Sequence, residues 1–162
     1  MGELCVEELT ILLVDPQDVG EEKLRSLLGK ARFYRGKLIL AASLDEAHQL
    51  LQQEDIDLLI LNGSESSEVV NAALDERLPA RLDVPVIVLT REPEDRLALE
   101  AVSAGAQDYL VLENLDADTL NRAVRYAVER HQLIASLREL SLFDDLTGLA
   151  GWGRGYLPVV VR

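Results

Sequence analysis

A single cysteine, Cys5, among 162 residues excludes a disulfide within the chain and fits a reducing compartment. Aromatic residues are sparse at 4%, so a core has to be assembled from Leu, Val, Ile and Ala. Positive charge is in short supply: 16 Lys and Arg stand against 29 Asp and Glu, a formal net charge of −13. With no basic surplus to displace phosphate counterions, nucleic acid is not an expected partner. The charge reads most simply as solubility. No apolar run approaches the roughly 18 residues needed to cross a bilayer, so no membrane partner is expected. The start MGELCVEELT lacks the basic segment and apolar stretch of a signal peptide, which gives a cytoplasmic location as the expectation. The segment DPQDVGEE after the first apolar run lacks a nucleotide-cradling glycine spacing. His48 and His131 stand in no catalytic or metal-ligating pattern. No catalytic residue, metal or cofactor is expected, and no enzymatic activity.

What is present is a globular composition, 48% hydrophobic and 28% charged, at a length that suits one domain plus an appendage. Short apolar runs alternate with helical spacing five times. The runs LTILLVD (9–15), KLILAAS (37–43), DLLIL (57–61), VPVIVLT (84–90) and QDYLVL (107–112) read as strands. The third is continuously apolar, as in a strand covered on both faces. Between them, VGEEKLRSLLGKA carries Leu24, Leu27 and Leu28 at helical spacing. SLDEAHQLLQQE opens with Ser43 three residues before Glu46, the spacing of a capping box. SEVVNAALDERL predicts a third helix with Val69, Val70 and Ala73 inward. PEDRLALEAVSAG predicts a fourth, with Pro93 in its first turn and Gly105 at its stop. Regular β-α alternation with short connections predicts a parallel sheet with helices on both faces.

The fifth helix differs. From Asp116, a good N-cap, to about Phe143 it meets neither Gly nor Pro, so it spans about 42 Å, well beyond a small domain's edge. Its first half carries Leu120, Ala123, Val124 and Ala127 to bury on the sheet. Its second half carries Leu133, Leu137 and Leu140, a seam that extends back through Arg130 to Tyr126. Such spacing suits a partner helix; the alternative is a helix folded back on its own domain. The end, GLAGWGRGYLPVVVR, has four glycines and reads as a flexible tail with a short strand near residues 159–161.

In this architecture the carboxyl ends of strands one, three, four and five converge, bringing together Asp15 and Pro16, Asn62, Thr90 and Leu112. That set, with ILLVD, VPVIVLT and AVSAGAQDYLV, resembles the receiver domain of bacterial response regulators over about residues 9–130. The resemblance implies a flavodoxin-like, doubly wound α/β fold with sheet order 2-1-3-4-5 and an extended C-terminal fifth helix. It also implies two-component phosphorelay signalling with a histidine kinase as partner. In that family an acidic pair binds magnesium; Asp15 matches its first member and Pro16 takes the place of the second. The phosphoacceptor aspartate falls on Asn62, the phosphoryl-contacting hydroxyl on Thr90, the pairing lysine on Leu112 and the switch aromatic on Tyr109. An amide oxygen is a far poorer nucleophile than a carboxylate. A hard divalent cation wants several oxygen ligands, and the lysine's charge stabilisation is gone. The position is thus expected to be degenerate, a pseudo-receiver. The Asn62–Gly63 pair is prone to deamidation, a minor route back to an aspartate.

RELSLFDDLTGLA similarly resembles the linker helix and opening motif of GGDEF domains, but no GG-[DE]-[DE]-F signature follows. The expected domains are an N-terminal extension (1–8), a receiver-like domain (9–130), a helical extension (131–143) and a truncated GGDEF-like opening with tail (144–162). The expected function is phosphorylation-independent protein contact. Homodimerisation is expected through the face of the fourth helix, fifth strand and fifth helix, where Glu100, Asp108, Arg122 and Arg125 offer mixed charge for a symmetric pairing. Two alternatives stand beside it: the vacated pocket with Asp15, Asp18, Asn62 and Thr90 takes a small ligand, or phosphate goes to a non-standard residue such as Asp18, Asp57 or Glu65.

Overall fold

The computed structural model describes residues 7–15, 20–63 and 68–147. The strands are β1 (Glu7–Val14), β2 (Tyr34–Ala41), β3 (Leu58–Gly63), β4 (Val86–Thr90) and β5 (Asp108–Val111). The helices are α1 (Glu21–Leu28), α2 (Leu44–Gln53), α3 (Glu68–Asp75), α4 (Leu78–Arg81), α5 (Asp95–Ser103) and α6 (Ala117–Thr147). A 3-10 turn, Leu112–Asn114, links β5 to α6. The sheet order is β2-β1-β3-β4-β5 with every pairing parallel. This is the doubly wound α/β architecture and strand order expected from the sequence, with the long C-terminal helix present.

Alternation along each buried strand feeds two separate cores. Ile11, Leu13, Leu58, Ile60, Ile87 and Leu89 pack with α1 and α6 on one face. Leu12, Val14, Leu59, Leu61, Val86 and Val88 pack with α2, α3, α4 and α5 on the other. Both faces of the central strands are dry, which is why the runs are unbroken in sequence. Each fully buried Leu or Ile contributes about 1.5–3 kcal/mol relative to exposure.

Asp57 closes the amino end of the sheet. Its Oδ2 accepts from Thr10 N at 2.7 Å and its own N donates to Thr10 O at 2.8 Å.

Several local expectations need adjusting. β2 begins at Tyr34, three residues before the apolar run, because it pairs with β1 from Glu7↔Tyr34 onward. The third predicted helix is two, α3 and α4, broken at Arg77, whose φ of 54° is left-handed. The fourth and fifth helices of the sequence reading are therefore α5 and α6. Pro93 precedes α5 rather than sitting in its first turn. Ser43 Oγ accepts from Glu46 N at 3.1 Å, but Glu46 Oε2 reaches Ala42 N, one residue short of a reciprocal box. Gly105 does end α5 with φ 104°, a conformation glycine adopts without strain.

The chain divides into two units between Val128 and Glu129. The first holds the sheet and its helices, including the start of α6, where Leu120, Ala123, Val124 and Ala127 are buried. Asp116 caps that start through Oδ1, which accepts from Thr119 N at 2.7 Å. The hydrogen bonds from Thr119 hold the Asp116 carboxyl below the usual aspartate range. In the second unit α6 continues with Leu133, Ile134, Leu137 and Leu140 exposed. Residues 1–6 and 148–162, with Cys5, the expected tail and its strand, lie outside the described residues. Among the described residues no helix is long and apolar enough to cross a membrane.

Candidate functional site

The convergence of strand ends is built as two halves, one on each face of the sheet. Asn62 and Thr90 are the buried polar residues among those described, at 4% and 0% exposure, so the fate of their polar atoms decides what the site can do. Asn62 continues the alternation of Leu58 and Ile60 and therefore turns toward α1 and α6. Thr90 continues that of Val86 and Val88 and turns toward α5.

In the first half, Gly20 at the start of α1 lies directly against Asn62. A Cβ at Gly20 would stand 2.5 Å from Asn62 Nδ2 and 3.4 Å from Leu112 Cδ2. The Asn62 amide and the Leu112 side chain thus both border the Gly20 backbone, and Leu112 is buried. Asp15 is committed to the same junction, its Oδ2 accepting from Gly20 N at 2.8 Å. Lys23, one turn into α1, donates from Nζ to the carbonyl oxygens of Leu112 and Glu113.

In the second half, Thr90 Oγ1 donates to Glu92 O at 2.8 Å and lies 3.0 Å from Tyr109 Oη. The Tyr109 hydroxyl accepts from Glu94 N at 3.0 Å and approaches Glu94 O at 3.2 Å. Its single proton is therefore divided between Thr90 and Glu94. The ring ties β5 to the loop that opens α5. Among the described residues no buried side-chain nitrogen or oxygen lacks a partner, and no three His, Cys, Asp or Glu side chains are placed to hold a metal.

Asp15, Asn62, Thr90, Tyr109 and Leu112 thus converge at one end of the sheet. Pro16, Asp18 and Glu65 lie outside the described residues. Asp57 is at the opposite end, bonded to Thr10. The four residues expected on one dimer face fall in different surroundings. Glu100 pairs with Arg96 on α5 at 2.9 Å, and Asp108 Oδ1 accepts from Tyr109 N. Arg122 and Arg125 instead line a cavity with residues 30–34, with Arg125 Cζ 4.8 Å from the Phe33 ring centroid. Sequence reasoning missed Gly20 and Lys23, whose partners are far away in the chain. It also missed Leu99 and Val102, which are 72% and 63% exposed on α5; as the apolar pair outside that helix's buried positions, they carried a readable signal. His48 is an ordinary helical residue, its Nδ1 donating to Leu44 O at 2.8 Å.

No protein-family model matches the chain. Protein PetR of Rhodobacter capsulatus is 32% identical over 102 residues, which are 62% of this chain and 40% of PetR. The chain thus spans two-fifths of the length of that curated relative. The signal receiver domain of an HD domain-containing protein from Pseudomonas fluorescens Pf-5 superposes with a TM-score of 0.63 at 28% identity, covering 78% of this chain and 98% of that one. A response regulator from Thermotoga maritima gives 0.61 at 27% identity, covering 75% and 98%. The chain has the flavodoxin-like fold of response-regulator receiver domains.

Proposed function

We propose that this chain is a receiver-like signalling module that takes no phosphate at its strand ends and acts as a binding partner rather than an enzyme. The observation that carries this reading is the contact of Gly20 with Asn62 beneath Leu112. An amide stands at the family's nucleophile position, and backbone and leucine occupy the space beside it. An amide nucleophile is a poor one, and the leucine offers no charge to a transferring phosphoryl group. The donor set does not fit magnesium: Asp15 already accepts the Gly20 N–H, and a hard cation needs several oxygens. The same close packing disfavours a small ligand at this point.

Pairing with a second copy is the proposed mode of action, with a histidine kinase or other signalling protein as the further class of partner. The pairing face is α5, β5 and α6, where Leu99 and Val102 supply the apolar surface beside Glu100 and Asp108. Exposed ion pairs contribute about 0–1 kcal/mol each, against an association cost on the order of 4–15 kcal/mol. Apolar burial must therefore dominate. Tyr126, Arg130, Leu133, Leu137 and Leu140 form the proposed helical seam, with Ile134 exposed beside it. We assign residues 9–130 to the receiver-like part, 131–143 to the helical extension and 144–162 to a truncated GGDEF-like opening.

Incubation with acetyl phosphate and magnesium, read by intact mass, tests the first claim. An unchanged mass is expected, and an acid-labile adduct of one phosphoryl group overturns it. Light scattering with and without residues 131–162 tests the second. The full chain is expected as a dimer that weakens on truncation, and a strict monomer in both forms removes the pairing claim.

A further inference from the structure

Away from the strand ends, a cavity of about 240 Å³ opens between the α1–β2 connection and the first turns of α6. Its wall carries four cations, Lys30, Arg32, Arg122 and Arg125, against one carboxylate, Asp118. In a chain of net charge −13 this is a local reversal of sign, and such a concavity concentrates anions. Two aromatic rings stand open at the same place, Phe33 at 69% and Tyr126 at 53% exposure. The whole chain has only two Phe and four Tyr. The Arg125 guanidinium lies over the Phe33 ring, a planar cation on a planar face that can extend a stack.

The floor is fixed. Tyr34 Oη donates to Asn121 Oδ1 at 2.6 Å, and Asn121 Nδ2 donates to Leu27 O at 3.1 Å, so α1, β2 and α6 are tied together beneath the opening. Burial raises the Tyr34 hydroxyl well above its usual acidity range, so it stays a neutral donor.

We propose that this cavity binds a phosphate monoester of a planar ring, of mononucleotide size. The guanidinium and ammonium groups hold the phosphate, and Phe33 and Tyr126 flank the ring. The volume is below the roughly 300 Å³ at which pockets enclose a drug-sized ligand, so part of the ligand stays in solvent. Arginine grips carboxylate and phosphate alike through paired N–H donors. Four cations around one opening favour the phosphoryl group, whose charge of about −1.5 to −2 exceeds that of a single carboxylate. Tyr126 is shared with the helical seam proposed above, whereas Lys30, Arg32, Phe33 and Arg125 belong to the cavity alone.

The test is calorimetric titration of the full chain with adenosine monophosphate, adenosine, inorganic phosphate and a glutamate-rich peptide. Saturable binding of the monophosphate is expected, with adenosine and phosphate alone each at least about tenfold weaker. Arg125→Ala and Phe33→Ala, both at exposed positions, are each expected to weaken it about tenfold. Arg32→Ala gives the same readout should Arg125→Ala fail to fold. Added salt is expected to weaken the monophosphate further. No saturable binding at millimolar monophosphate overturns the proposal. So does equal binding of inorganic phosphate, an affinity unchanged by Arg32→Ala and Phe33→Ala, or tighter binding of the peptide.

Discussion

The two halves of the strand-end site are closed by different physics. On the α1 side, Gly20, Asn62 and Leu112 shut the space by shape, so that a Cβ on Gly20 would oblige the Asn62 amide to move. On the α5 side, Thr90, Tyr109 and the backbone of Glu92 and Glu94 shut it by hydrogen bonds. In a shape-closed half, added bulk at the contact is the sensitive change, and the polarity of Asn62 matters less than its size. A bond-closed half tolerates isosteric change only while each polar group keeps a partner. The difference tells which substitutions each half should resist.

The largest effect is expected from Gly20→Val, an overpacking change that should cost about 1–3 kcal/mol by denaturant unfolding. Asn62→Ala in the same chain should restore part of that loss. A double mutant no more stable than Gly20→Val alone would break the shape argument. On the other side, Tyr109→Phe and Thr90→Val should each cost about 1 kcal/mol. Their coupling should exceed about 0.5 kcal/mol in a double-mutant cycle, as expected for groups in one network. Additive effects there would mean the hydroxyls act separately.

A smaller effect sharpens the α1 side, where α6 begins beyond Leu112. Asp116 has its folded pKa lowered, chiefly by the Thr119 backbone N–H. Its cap therefore adds stability above the unfolded aspartate range and loses it as pH falls through the lower folded value. Asp116→Ala should shift the unfolding midpoint at neutral pH and progressively less in strong acid. Asp116→Asn, which still accepts the N–H, should keep most of the neutral-pH stability.

The fold was legible because its strands are dry on both faces. Leu58 to Leu61 could not be broken by a polar residue without placing it in one core or the other. The helix start at Asp116 and the stop at Gly105 were legible because capping is local chemistry. The break between α3 and α4 was not, since Arg77 adopts a left-handed conformation that normally announces itself as Gly or Asn. Its guanidinium bonds Ser103 O at 2.9 Å, a tertiary contact no local pattern reports. At the site, the polar positions could be placed from strand ends, but their neighbours could not. Lys23 reaches a carbonyl 89 residues away, and only the folded chain shows Gly20 against Asn62. Arg122 and Arg125 were set on one face with Glu100 because charge gives no azimuth. Their place on the wall of the Phe33 cavity follows from which side of α6 is buried.

The reciprocal bonds between Asp57 and Thr10 act as a pin in the weave of the sheet. They lock β1 beside β3 at the margin remote from Asn62, and a slip of one residue would exchange the two oily layers. The opposite margin holds its own pairing, Asn62 beside Leu89 and Gly63 beside Thr90, so the weave is fastened at both borders. Fastening at both borders fixes the height at which the strand tip, and with it the Asn62 side chain, comes to stand.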